Sequence, residues 1–294
     1  MIQILHATDI HWFCPPTPGQ LLSKRALGMA NLYLRDRKSH FSRTVQARLC
    51  ERLKAMEADA LVISGDLTAL ATTREFELAH HHLAPALSRR PSLVINGNHD
   101  VYTSGAARTD RIATSFGTWL HRVGDGVSEL TLPGITLLGL EVCRPHLTAS
   151  GLAKAPALQR LVERLNHAPA DHAVLLTLHY PLVGRDGEPY DEWEHGLWNA
   201  REVIDAIGSA SRPPSAIVHG HVHHGYRQTI RIGDQEVPQL NPGSSGYAWM
   251  PEKHRAACFN RYTFEGTRLA GVERFRFDGE DFAVEPGGPY ATGR

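Results

Sequence analysis

The stretch HGHVHHG, residues 219–225, places four imidazoles in seven positions. Neutral imidazole is the commonest metal ligand among protein side chains, so the stretch raises the question of further donors elsewhere in the chain. Alone it says little, because G-H-x-H arises by chance about 0.1 times in a chain of this composition. Four more blocks carry the right atoms: Asp9-Ile10-His11, Gly65-Asp66, Gly97-Asn98-His99-Asp100 and the single His179. The tetrapeptide G-N-H-D has a chance expectation of about 0.002 per chain. Carboxylate, amide and imidazole donors in that order can hold hard or borderline cations, and no thiolate is needed.

Along the sequence, each block stands at the end of a short apolar run. The runs are IQILHAT (2–8), ALVISG (60–65), SLVING (92–97), AVLLTLH (173–179) and SAIVHG (215–220), with ITLLGLEV (135–142) as a sixth. Unalternating Val, Leu and Ile predict strands buried on both faces. Helical spacing fills the gaps at 42–58, where Ser42 is the expected N-cap, and at 74–83, 156–168 and 199–209. Strand alternating with helix predicts an α/β fold. In such folds ligands bind beyond the carboxyl ends of the strands, so five strand ends aim donors at one rim. Gly65, Gly97 and Gly220 permit tight turns beneath those side chains. After residue 220 the runs alternate and predict hairpin-linked antiparallel strands.

In these blocks the chain resembles the calcineurin-like metallophosphoesterases, whose signature D-x-H, G-D, G-N-H-[DE], H, G-H-x-H is matched throughout residues 9–223. The resemblance implies an α/β four-layer metallophosphoesterase sandwich, two mixed β-sheets flanked by helices. It also implies a centre of two transition-metal ions. Asp9, His11 and His223 would hold the first, Asn98, His179 and His221 the second, and Asp66 would bridge them. His99 would face the substrate as the catalytic group, oriented by Asp100. A bridging carboxylate offsets the repulsion of cations about 3.5–4 Å apart, and the oxygen–nitrogen donor set suits Mn, Fe, Zn or Co. A hydroxide bridging two such cations is a strong nucleophile toward phosphorus, which predicts hydrolysis of a phosphodiester or pyrophosphate.

The remaining expectations concern surroundings. Residues 1–285 read as a single domain, and the Gly/Pro-rich 286–294 as a flexible tail. A basic amphipathic insert at about 14–41 interrupts the first crossover. Its segment 21–41 mixes Leu, Met and Tyr with Lys24, Arg25, Arg35, Arg37 and Lys38, a composition suited to a membrane interface or an acyl chain. It resembles the S-K-R-x-L-G-x-x-N-L insert of a branch that contains UDP-diacylglucosamine pyrophosphohydrolases, which implies a nucleotide-lipid substrate. A soluble cyclic-nucleotide or glycerophosphodiester substrate is the alternative, and a non-catalytic interaction module on the same scaffold is another. Arg25 in the insert, and Arg185 and Trp193 in the loop 180–196, are the expected substrate contacts. His80-His81-His82 reads as a solvated helix face, and His6 as a core histidine. Formal net charge is zero, which argues against nucleic acid as a partner. Four scattered cysteines, no signal-like leader and no long apolar run predict a cytoplasmic protein, in peripheral contact with the inner membrane face if the insert binds lipid.

Overall fold

The computed structural model describes residues 1–21, 25–26, 37–146 and 148–291. Most of segment 21–41, and with it the expected lipid contact, therefore lies outside the described residues. Two sheets face each other. The first has the order β13 (Phe282–Val284), β12 (Arg268–Phe277), β11 (Cys258–Glu265), β1 (Ile2–Ala7), β2 (Ala60–Ile63), β3 (Ser92–Val94). The second runs β4 (Arg122–Gly124), β5 (Val127–Leu132), β6 (Ile135–Leu140), β7 (Ala173–Leu178), β8 (Ala216–Val218), β10 (Gln235–Asn241), β9 (Tyr226–Ile232). Both sheets are mixed: β1, β2 and β3 run parallel in one and β6, β7, β8 and β10 in the other, with antiparallel pairings at β1–β11, β5–β6 and β10–β9.

Why the central runs do not alternate is visible in their packing. Ile4, Ala60 and Val62 point between the sheets, among Leu93, Leu137, Leu175 and Val218. Their neighbours Leu5, Leu61 and Ile63 point outward, against α1 (Arg43–Ala55) and α2 (Thr73–Leu87). The short helices α3 (Ser104–Arg108) and α4 (Arg111–Phe116) extend that outer layer. On the opposite side α5 (Ala155–His167) and α6 (Ala200–Gly208) cover the second sheet through Leu161, Leu165, Val203 and Ile207. A strand with cores on both faces needs apolar residues at every position. The result is helix, sheet, sheet, helix, the four-layer α/β sandwich expected.

Helix starts follow the sequence. Ser42 accepts from the Val45 amide, and Thr72 with Glu75 forms a reciprocal capping box. The hairpin β4–β5 adds to the sequence reading; Asp125-Gly126, both at positive φ, is a recognised hairpin signal. The His80–His82 reading needs correction: His80 packs on Phe116 and Trp119, and His82 stacks on the buried Trp12 at 4.5 Å, leaving His81 exposed. The tail is also less free than its composition suggests, because Tyr290 accepts a hydrogen bond from Asn260 and donates its backbone N–H to Glu285. His6 is a satisfied core residue between Tyr262 and Ser64.

The ion pair between Arg274 and Glu285 is wholly buried. Arg274 of β12 bonds both oxygens of Glu285 at 2.9 and 3.1 Å and donates to the Pro242 carbonyl. Gly225 and Gly243 lie so close to its guanidinium that a methyl group on Gly225 would sit 2.5 Å from Nη2. Among the described residues, no helix is long and apolar enough to cross a membrane.

Candidate metal centre

The parallel strands of both sheets end at one rim. Asp9 and His11 follow β1, Asp66 follows β2, and Asn98 and His99 follow β3. His179 follows β7, and His221 and His223 follow β8. Five of the seven candidate ligands, Asp9, His11, Asp66, His221 and His223, have φ between 52 and 71°. Such left-handed backbone is unfavourable for residues with a Cβ and collects at functional sites. Ladder-like bonds between loops hold it in place: Asp9 N–H to Gly65 O, His11 N–H to Asp66 O, and Trp12 N–H to Leu67 O. The glycines act in two ways. Gly65 supplies a φ of +99°, whereas Gly97 and Gly220 supply space: a Cβ on Gly97 would meet Asp66 Oδ1 at 2.1 Å, and one on Gly220 would meet Asp9 Oδ2 at 2.4 Å.

Acceptor atoms converge. His11 Nε2 lies 3.0 Å from His223 Nε2 and 3.5 Å from Asp66 Oδ2, and His223 Nε2 lies 3.3 Å from Asp9 Oδ1. Asp9, His11, Asp66 and His223 each present a ligand atom within 4.8 Å of the others. Two nitrogens bound side by side to one ion at about 2.0–2.1 Å must themselves be about 3 Å apart, as these are. Beside them, Asn98 Oδ1 stands 3.0 Å from both His179 Nε2 and His221 Nδ1. The other nitrogen of each ring faces a carbonyl, Ser64 O for His179 Nδ1 and His195 O for His221 Nε2. A carbonyl can only accept, so those nitrogens carry hydrogen when the rings are neutral, and lone pairs then point at the Asn98 oxygen.

Electrostatics suit a cation. Burial keeps His11 and His221 near pKa 3, hence neutral. Burial opposes ionisation of Asp9 and Asp66, but the surrounding histidines outweigh it: His223 holds Asp9 at about 2, and His179 holds Asp66 well below the ordinary range. Burial disfavours a charged His179 too, yet the charge and hydrogen bond of Asp66 lift it to about 9. Anionic carboxylates and neutral imidazoles are the ligand forms that metal binding requires; Asp9, Asp66, His11 and His221 already hold them, and His179 would release its proton as a cation took its place, so the residues present fit a metal.

His99 flanks the cluster, edge-on to His11 at 4.8 Å between ring centres and half-buried. Its backbone N–H donates to Asp66 Oδ1, and its Nδ1 faces the Ala69 carbonyl at 2.7 Å. The orienting role expected of Asp100 is therefore corrected. Its carboxylate instead accepts from the amides of Gly97, Leu67 and Thr68, so it ties the turns after β2 and β3 together. Burial and the charge of Asp66 push that carboxyl up to about 6.

The expected substrate contacts fare unequally. Arg25 is buried and spends its guanidinium on the carbonyls of Leu70 and Ala71, which makes it an anchor for the insert. Arg185 is exposed in the turn between Val183 and Pro189, and among the described residues its side chain makes no hydrogen bond or ion pair to the cluster. Trp193 is two residues from His195, whose carbonyl holds His221. Sequence reasoning missed Tyr247, whose hydroxyl meets His223 Nδ1 at 3.2 Å, and Thr8, which donates to Asp9. It also missed Phe41, packed 4.5 Å from His11. The stretch NPGSSGY (241–247), a loop directly after a strand, was the available signal for Tyr247.

Fold and site together define a phosphoesterase sandwich with a candidate metal site at its rim. The sequence matches the family model for calcineurin-like phosphoesterases over residues 2–225, and the chain belongs to that family. No curated protein matches it in sequence. Among solved structures it is similar to a purple acid phosphatase, PPD1, from yellow lupin (Lupinus luteus) seeds, with 10% identity and TM-score 0.59 over 97% of this chain and 52% of that one. It is also similar to PhoD, with 10% identity and TM-score 0.57 over 98% and 73%. The 5'-nucleotidase precursor from Thermus thermophilus shows 12% identity and TM-score 0.52 over 98% and 55%. This chain thus spans about half the length of the phosphatase and of the nucleotidase.

Proposed function

We propose that the protein is a two-metal hydrolase of a phosphodiester or pyrophosphate bond. The observation that carries this reading is the position of Asp66 Oδ2, 3.5 Å from His11 Nε2 in one ligand group and 3.3 Å from His179 Nε2 in the other. Asp9, His11 and His223 would hold one cation, Asn98, His179 and His221 the second, and Asp66 would bridge them. Bound there, the ions would supply positive charge to phosphoryl oxygens and lower the pKa of a water toward about 7. The chain's own residues do the rest. Ser64 and His195 fix the tautomers of His179 and His221 through their carbonyls, and Tyr247 meets the far nitrogen of His223. With Nδ1 donating to Ala69, His99 is left with Nε2 to hold a proton near the reacting phosphoryl group or its leaving oxygen.

His99→Ala is expected to keep its metal, because the His99 ring belongs to neither ligand group, while kcat falls by roughly 10²–10⁴. Elemental analysis beside the steady-state rate on bis(p-nitrophenyl) phosphate checks it. Unchanged kcat, or loss of the metal with the ring, would contradict the role.

For the physiological substrate we favour a nucleotide-lipid such as UDP-diacylglucosamine, supported by the S-K-R-x-L-G-x-x-N-L resemblance. Hydrolysis of UDP-diacylglucosamine against cyclic AMP, with and without detergent, tests it. Preference for cyclic AMP would return the soluble phosphodiesterase reading. A purified chain with less than one bound transition metal and no activity on added Mn would return the non-catalytic one.

A further inference from the structure

Beside the second ligand group stands an aromatic stack that the proposed chemistry does not use. Trp193 and Trp198 lie parallel, 4.3 Å between ring centres and 9° apart. The Arg144 guanidinium sits 3.8 Å from the Trp198 ring centre. Two groups cannot occupy the same face at those distances, so Trp198 is sandwiched and Arg144 and Trp193 are its two slices. Trp193 is 67% exposed, so its outer face is open to a ligand.

The stack is rigid. Trp198 Nε1–H donates to the Trp193 carbonyl at 2.9 Å, the Gly196 N–H to Glu192, and the Trp198 N–H to Gly151. It is also coupled to the centre: His195, within this loop, holds His221 by its carbonyl, and Tyr180 packs 4.2 Å from the His221 ring. Among the described residues Arg144 faces no carboxylate, and its Nε and Nη2 are buried without a hydrogen-bond partner. Ring attraction therefore holds a cation whose charge is uncompensated.

Resting on the hydrolase reading, we propose that this stack is the subsite for a nucleobase: a nucleoside phosphate places its base on the outer face of Trp193 while the charge of Arg144 favours its phosphate. Bases stack on tryptophan irrespective of their hydrogen-bonding edges, and removing one such ring weakens binding by about 5- to 150-fold. A planar base suits the surface better than an alkyl alcohol, which would gain no stacking.

The test is calorimetric titration of the Mn-loaded chain with AMP, UMP and ribose 5-phosphate, which share the phosphorylated ribose. Both nucleotides are expected to bind at least about 5-fold more tightly than ribose 5-phosphate. Trp193→Ala is expected to bring the ratio near one, and Trp193→Phe to retain most of it. Equal affinities in the natural chain, or an unchanged ratio in Trp193→Ala, overturn the subsite. A chain that prefers AMP but hydrolyses no diester would sink the hydrolase reading and leave the stack assigned. One that cleaves bis(p-nitrophenyl) phosphate but ignores the base would do the reverse.

Discussion

Asp66→Asn is expected to lose most of its bound metal and nearly all turnover while the chain stays folded. The substitution keeps shape, and the amide oxygen can still accept from the His99 N–H that now bonds Oδ1 at 2.8 Å. What disappears is the negative charge on Oδ2, midway between His11 and His179. An amide N–H₂ there donates toward ring lone pairs and cannot balance the proposed pair of cations. Losing a mere outer partner of a metal site costs about 10–100-fold in affinity or activity, so losing the proposed shared ligand should exceed that range. Metal content by elemental analysis, read beside the rate on bis(p-nitrophenyl) phosphate, decides the matter. Wild-type values for both would refute the centre.

The second large effect concerns stability. Glu285→Gln or Arg274→Met is expected to cost about 3–5 kcal/mol, because removing one member strands the other's charge in the interior. Their side chains are 0% and 1% exposed. Urea unfolding of the metal-free chain measures it. The double variant Arg274→Met/Glu285→Leu should recover much of the loss, since burying neither charge avoids the desolvation cost of both. A single variant within about 0.5 kcal/mol of the natural chain would mean that water reaches the pair. Pro242, Gly225 and Gly243 border the guanidinium, and the Ser244 N–H donates to the His223 carbonyl. The single variants should therefore also weaken metal binding.

Much of this is legible in the order of residues alone. Apolar runs with cores on both sides cannot alternate, and that requirement exposes β1, β2, β3, β6, β7 and β8 together with the donors at their ends. Harder to see is whatever depends on contacts far apart in sequence. Ser64 and His195 contribute only carbonyl oxygens, which every residue possesses, so no residue type announces them. Asp100 looks like a partner for its neighbour His99, but the adjacent turn's amides are nearer. Arg25 looks like a substrate group because its segment is basic; two carbonyls claim it first. The stack of Arg144, Trp193 and Trp198 joins two loops whose proximity only folding reveals.

Asp9, His11, Asp66 and Asn98 hang from one sheet, while His179, His221 and His223 hang from the other. Any ion gripped by both sets is a rivet through the seam of the sandwich, and prising the halves apart must release it. Heat resistance should then climb with free Mn concentration, by about 2.7 kcal/mol at one hundred times the dissociation constant, and a chelator should undo the gain. Scanning calorimetry across a Mn series would show it, and a melting point indifferent to the ion would mean that the folded chain does not grip it in preference to the unfolded one.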